Sequence, residues 1–346
     1  MKAFICGLAG PRLQPEEAEF LAAARPFGII LFRRNCQNPK QIRDLVDAFR
    51  DAVGRADAPV LVDQEGGRVQ RLGPPAWPAY PPARTVGLLA EADPEAGRRA
   101  AWLHGRLIAA DLRDVGIDVD CAPVLDVATD EMSDAIGDRS FSAGAHLVAM
   151  LGRAVADGLL AGGVLPVMKH MPGQGRATAD SHKALLVIEG DLPALAVSDF
   201  VPFEELSDLP IGMTSHVILK SVDSHNAATV SRPVIRDIIR GRIGFDGLLV
   251  SDDVSMDALS GDYGERAASI YDAGCDLVLH CNGRTEEMRR IGDAAPALEG
   301  KPLERAARAL SMRRDPAPFD RESARAEFLA HLARVNWPPL AVGLRA

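Results

Sequence analysis

Short, apolar, β-branched runs alternate with stretches of helical period along most of this chain, and that alternation limits the folds open to it. The runs are Gly28 to Phe32, Pro59 to Asp63, Ile117 to Asp126, Val164 to Met168, Ile211 to Ser215, Gly247 to Ser251 and Asp276 to His280. Most are apolar at consecutive rather than alternate positions, the pattern of strands buried on both faces in a parallel sheet. Helices lie between most of them. After the first run, Asn38 and Pro39 supply an N-cap and a first helical residue, Ile42, Leu45, Val46, Phe49 and Val53 share a face, and Gly54 ends the helix. Another helix opens at Asp93 and Pro94 and runs to Gly116, and a third is capped by Ser231 ahead of Val234, Ile235, Ile238 and Ile239.

Seven such units with a candidate eighth predict an α/β fold, a closed (β/α)8 barrel of TIM type in a single domain. Residues 1–300 are read as the barrel and 301–346 as C-terminal helices, broken near Pro316, and a tail packed on it. An open doubly wound sheet is the alternative. It lacks its dinucleotide fingerprint, because the nearest match, Gly173 to Thr178, has no third glycine.

Composition narrows the function classes. With 47% hydrophobic and 25% charged side chains in 346 residues, the chain has material for a large core and is not a disordered polymer. Its net charge of −9 carries no basic block, which argues against a nucleic-acid partner. Uncharged stretches such as Gly158 to Met168 fall short of the roughly 18 residues a membrane-spanning helix needs, so no membrane partner is expected. The cysteines, Cys6, Cys36, Cys121, Cys275 and Cys281, are odd in number and form no C-x-x-C pair, as suits reduced thiols in the cytoplasm. The start, through Ala3 to Gly10, is read as a short strand and turn rather than a leader, since the apolar run is short and no small-residue cleavage site follows.

Polar residues crowd just after the strand runs: Val62 to Arg71, Ile136 to Phe141, Met168 to His182, Met213 to His216 and Ser251 to Asp253. In a barrel these positions share the C-terminal mouth, where barrel enzymes place their catalytic groups. Neighbouring strand residues point to opposite faces, so at most one of Asp252 and Asp253 aims into that mouth. The other residue, and both if they merely cap the next helix, would be structural. Lys169 and His170 come directly off a strand, followed by a turn imposed by Pro172, Gly173 and Gly175. Asp180 stands two residues before His182, where a carboxylate can orient an imidazole and stabilise its protonated form, as a general acid/base requires. His170 taken alone reads as a satisfied structural histidine.

No short metal-ligand spacing joins His170, His182, His216, Asp63 and Asp252, so no metal and no other cofactor is expected. From the residues alone, a Schiff-base lyase or aldolase using Lys169 stays open, as does a barrel that binds its ligand without turning it over.

The run K-H-M-P-G-Q-G-x-x-x-x-D-S-H at Lys169 to His182, together with VDQEGGRVQR, IGDRSF and GFDGLLVSDDVSM, resembles the β-N-acetylglucosaminidases of glycoside hydrolase family 3, in their single-domain bacterial branch of cell-wall recycling. The likeness spans about Gly28 to Asn282. It implies a retaining exo-glycosidase that removes terminal β-linked N-acetylglucosamine from peptidoglycan fragments, with Asp252 as nucleophile, His182 as general acid/base and Asp180 orienting it. It also implies Asp63, Arg71, Arg139, Lys169 and His170 as sugar-binding residues. Where the family usually reads K-H-F-P-G-H-G-D-T, this chain carries Met171, Gln174 and Arg176.

Overall fold

The computed structural model describes residues 1–130, 132–179, 186–256 and 258–337. Eight parallel strands close into a barrel: β1 (Lys2–Gly7), β2 (Pro26–Leu31), β3 (Val60–Val62), β4 (Val119–Asp120), β5 (Leu165–Met171), β6 (Ile211–Thr214), β7 (Leu248–Asp253) and β8 (Leu277–His280). Each pairs with its sequence neighbours, and β1 closes the ring against β8, with Phe4 opposite Val278 and Ile5 opposite Leu279. The opening segment thus supplies the eighth strand that completes the expected barrel.

Strand parity sorts the apolar residues into two cores. Ile5, Leu61, Val119, Leu165, Val167, Ile211, Met213, Leu248, Val250 and Leu277 fill the barrel interior, while Phe4, Ile29, Val60, Val62, Met168, Leu249 and Val278 face the surrounding helices. Both faces are dry, which is why the strands read as continuous apolar runs. The helix Gly300–Ser311 contributes Ala306 and Ala309 to the interior cluster, while the helix Arg321–Ala333 lies against the helix Pro94–Arg113.

Asn38 Oδ1 accepts from the Gln41 N–H at 3.0 Å and Gly54 takes a φ of +64°, so the helix Pro39–Val53 has both expected ends. Asp93 caps the helix Pro94–Arg113 in the same way, through Ala96. Two segments differ from expectation. The run Ile117 to Asp126 is regular only at Val119–Asp120, because Pro123 has no N–H for the ladder, although Val167 N–H still donates to Ala122 and Leu125 N–H to Lys169. The Pro-rich stretch before Asp93 contains a further helix, Ala83–Ala92. The Ser231-capped helix Val234–Arg242 is wound wide, with Ile243 N–H reaching back to Ile238 O at 2.8 Å.

All five cysteines are unpaired, and four of them are buried. Among the described residues, no helix is long and apolar enough to cross a membrane.

Candidate active site

A cleft opens at the C-terminal mouth of the barrel. Asp63, Arg71, Arg139, Lys169, His170 and Asp252 all line it, so the structure gathers these sequence-predicted residues from β3, the loop after β4, β5 and β7 around one space. Parity explains the aim of the strand residues. Asp63 follows inward-facing Leu61, Lys169 follows Val167, and Asp252 follows Val250, each by two positions. Asp180 and His182 lie outside the described residues.

The floor of the cleft is an interlocked set of charges. Lys169 Nζ lies 2.8 Å from Asp63 Oδ1 and 2.6 Å from Glu65 Oε1, and its side chain is 2% exposed. Arg71 closes on the other Asp63 oxygen at 3.0 Å, with its guanidinium 5.1 Å from the centre of the Phe32 ring. Arg139 grips both oxygens of Glu65 at 2.7 Å. Burial alone would raise the Asp63 carboxyl, but Lys169 and Arg71 outweigh it and hold it below the usual carboxylate range. Glu65 is lowered likewise, burial being outweighed by Lys169 and the Arg139 hydrogen bonds. For Lys169, burial works to remove the charge, and Asp63 with Glu65 reverse this and push its pKa up. A permanently protonated, doubly paired amine is no nucleophile, which weighs against a Schiff base at Lys169.

His170 is held from behind by Asp126, its Nδ1 donating to Oδ2 at 2.7 Å. The carboxylate fixes the tautomer, leaving Nε2 on the cleft side, 3.5 Å from Arg139. The other Asp126 oxygen accepts the Gln174 N–H at 2.8 Å, so one buried carboxylate ties β5 to the loop that follows it. That loop runs close to its neighbours. A Cβ on Gly175 would stand 1.7 Å from Val127 O, and Gly173 has a φ of +115° with Asp199 alongside.

At the departures from the family motif, Met171 is fully buried and packs over Gly212, and Gln174 makes its anchoring bond through its backbone, a bond open to any residue except proline. Arg176 pairs with Asp199 at 2.7 Å and donates to Ser198 Oγ at 2.9 Å. Beyond it, Ala179 pairs with Leu186 in a small sheet that also takes in Val217–Leu219, and Leu186 lines the cleft.

Asp252 and Asp253 both line the cleft but differ in their partners. Asp252 Oδ1 accepts the N–H of Asp253 at 2.8 Å, and among the described residues no donor reaches Oδ2. Asp253 instead turns its carboxylate to the Ser255 N–H and hydroxyl and to the Cys281 N–H.

Glu65 and Asp126 were not singled out by sequence reasoning. Glu65 stood inside a polar segment already marked, and Asp126 ended a strand run, but nothing in either residue type foretold its partners. Among the described residues, no group of three or more His, Cys, Asp or Glu side chains is arranged to hold a metal ion.

Comparison with known proteins places this geometry. The model of the glycosyl hydrolase family 3 N-terminal domain matches residues 5–311. The beta-hexosaminidase of Bordetella avium (strain 197N) is 40% identical over 301 residues, 84% of this chain and 85% of that protein. That of Xylella fastidiosa (strain 9a5c) is 38% identical over 304 residues, 86% and 87% respectively. Among solved structures, NagZ from Neisseria gonorrhoeae in complex with N-trifluoroacetyl-D-glucosamine matches with a TM-score of 0.83 at 33% identity, covering 96% of this chain and 97% of that one. A family match over most of the chain, relatives at this identity and a barrel whose mouth gathers these charged residues lead to one conclusion: the chain belongs to glycosyl hydrolase family 3, among its β-N-acetylhexosaminidases.

Proposed function

We propose that this glycosidase is a retaining exo-enzyme that removes terminal β-linked N-acetylglucosamine from peptidoglycan fragments through a covalent sugar–Asp252 intermediate. The carrying observation is the contrast among carboxylates lining the cleft. Asp63 is held by Lys169 and Arg71, and Asp253 by Ser255 and a backbone N–H, whereas Asp252 keeps an oxygen clear of donors among the described residues. An ionised, unengaged carboxylate is what attack on an anomeric carbon needs.

In the first step Asp252 Oδ2 bonds to the anomeric carbon as the glycosidic bond breaks. The departing electron pair goes to the leaving oxygen, which takes a proton from His182, and Asp180 holds that imidazole. In the second step water gives its proton to His182 and displaces Asp252. Asp63 is no candidate acid, since its flanking cations keep it deprotonated. Asp63, Arg71, Arg139, Lys169 and His170 supply donors and acceptors for the sugar hydroxyls, and a hydroxyl missing or misplaced leaves a buried partner unmatched.

NagZ of Neisseria gonorrhoeae, with its bound glucosamine derivative, supports N-acetylglucosamine as the sugar. Unpaired cysteines suit a cytoplasmic location, where wall fragments return for recycling. Mass spectrometry after a 5-fluoro N-acetylglucosaminyl donor tests the mechanism: the label is expected on the peptide holding Asp252, at that residue. Labelling at Asp253 or nowhere overturns it. Release of N-acetylglucosamine from a purified muropeptide, compared with a chitin disaccharide, tests the substrate.

A further inference from the structure

His216 lies two residues after β6, buried in the cleft wall, and has no part in the chemistry above. Its Nε2 is 2.9 Å from the backbone oxygen of Asp253. A carbonyl oxygen only accepts, so Nε2 carries the proton and donates. The Asp253 peptide is pinned from other sides as well. Its side chain accepts from the Cys281 N–H at 3.1 Å and the Ser255 N–H at 3.0 Å, and the next residue, Val254, donates to Leu279 O at 2.8 Å. The N–H of Asp253 itself is the group bonded to Asp252 Oδ1. The orientation of the attacking carboxylate therefore passes through Asp253, and His216 is the side chain that reaches this turn from the neighbouring strand.

We infer that His216 is a positioning residue for the nucleophile. By fixing the Asp253 carbonyl, it sets the turn whose N–H holds one oxygen of Asp252 and leaves the other aimed at the anomeric carbon. The inference rests on Asp252 being the nucleophile and adds a residue to that reading. It places the effect of His216 in the bond-forming step rather than in sugar affinity, because His216 acts on Asp252 and makes no bond to Asp63, Lys169 or Arg139.

Three variants decide it. In His216→Ala the Asp253 carbonyl loses its donor, and a small misorientation of the attacking oxygen is expected to lower kcat by about 10- to 100-fold. KM should change little, and inactivation by the 5-fluoro donor should slow in parallel. His216→Gln, whose amide N–H extends about as far as Nε2, should recover most of both rates. His216→Asn, whose donor falls short, should not. If the alanine variant does not fold, the comparison of Gln with Asn carries the test. Equal rates in the Gln and Asn variants overturn the proposal, as does an alanine variant with wild-type kcat or one whose loss lies wholly in KM. The label in the wild-type enzyme separates the two readings: a label away from Asp252 removes the nucleophile assignment itself, whereas a label on Asp252 with no response to His216 removes only the positioning role.

Discussion

Lys169 Nζ lies 2.6 Å from Glu65 Oε1, although neither residue type announces a partner in the sequence. The pair joins β5 to the hairpin that follows β3, and the Arg139 guanidinium closes on Glu65 from the loop after β4. Glu65 is therefore the shared counter-ion of two cations that face the cleft. Glu65→Gln keeps the size and one acceptor but removes the charge, and breaking such a buried set is expected to cost about 3 kcal/mol. Urea unfolding reads that cost directly. Because Lys169 and Arg139 would lose their common anchor, KM on 4-nitrophenyl N-acetyl-β-glucosaminide should rise more than kcat falls. Unchanged stability together with unchanged KM contradicts this account.

His104 gives the fold a pH dependence of definite sign. Its Nε2 donates to Glu65 O at 2.9 Å, and burial lowers its pKa from the ordinary 6.5 to about 4. In the unfolded chain the imidazole binds a proton from about pH 6.5 downward, whereas the folded protein resists until about pH 4, so stability falls with pH across that window. Between pH 7 and pH 5 the loss from this group is about 2 kcal/mol. Asp63 and Glu65, held below their usual range, keep nearly all of their contribution above about pH 5 and so add little between pH 7 and pH 5. Asp120, raised by burial, acts in the opposite direction. The measurement is therefore a difference: His104→Gln, which keeps a donor for Glu65, should lose less stability from pH 7 to pH 5 than the wild type. Equal slopes rule His104 out as the source.

What was legible in the sequence follows physical range. The strands β2, β3 and β5 to β8 could be read because burial on both faces leaves an uninterrupted apolar run, and Asn38 and Asp93 because a cap acts within three residues. Parity alone separated Asp252 from Asp253 without saying which of them serves the mouth; the choice of Asp252 came from the family resemblance, and Val250 in the barrel interior agrees with it. Glu65, Asp126 and His216 could not be read, since each acts through a partner on another strand or loop, and sequence spacing carries no trace of which carboxylate or carbonyl will be there. The short sheet joining Ala179, Leu186 and Val217 escaped for a related reason: its strands are only two or three residues long, too short for a period to show.

Arg176 stands where family members usually carry an aspartate, and its partner Asp199 is 1% exposed. The pair ties the loop after β5 to the segment between the helices Leu192–Ala196 and Val201–Glu205. Arg176→Ala leaves a buried carboxylate with only Ser198 Oγ, and the expected loss is about 1–2 kcal/mol, because half-exposed Arg176 retains some solvation. Adding Asp199→Asn should return part of it, since the variant no longer buries an unpaired charge. A double-mutant cycle in urea checks the sign, and additive losses would show that the two side chains are not coupled.

If His182 donates to the leaving oxygen, its removal matters in proportion to how much that oxygen needs protonating. Aryl leaving groups of low pKa depart as anions and should retain most of the rate of bond cleavage in His182→Ala. An alcohol or sugar leaving group, the kind a muropeptide presents, should lose about 100-fold or more. Asp180→Ala should show the same pattern less severely, since the imidazole remains but is no longer oriented. Asp252→Ala should differ in kind, with loss across the whole series and partial recovery by azide, because the missing group is the nucleophile. A plot of log kcat/KM against leaving-group pKa therefore separates the roles: a steeper slope than wild type for His182→Ala, and a uniform drop for Asp252→Ala. A uniform drop in both would take the acid role away from His182, and with Asp63 held deprotonated by Lys169 and Arg71, the proton would then have to come from a group other than Asp63.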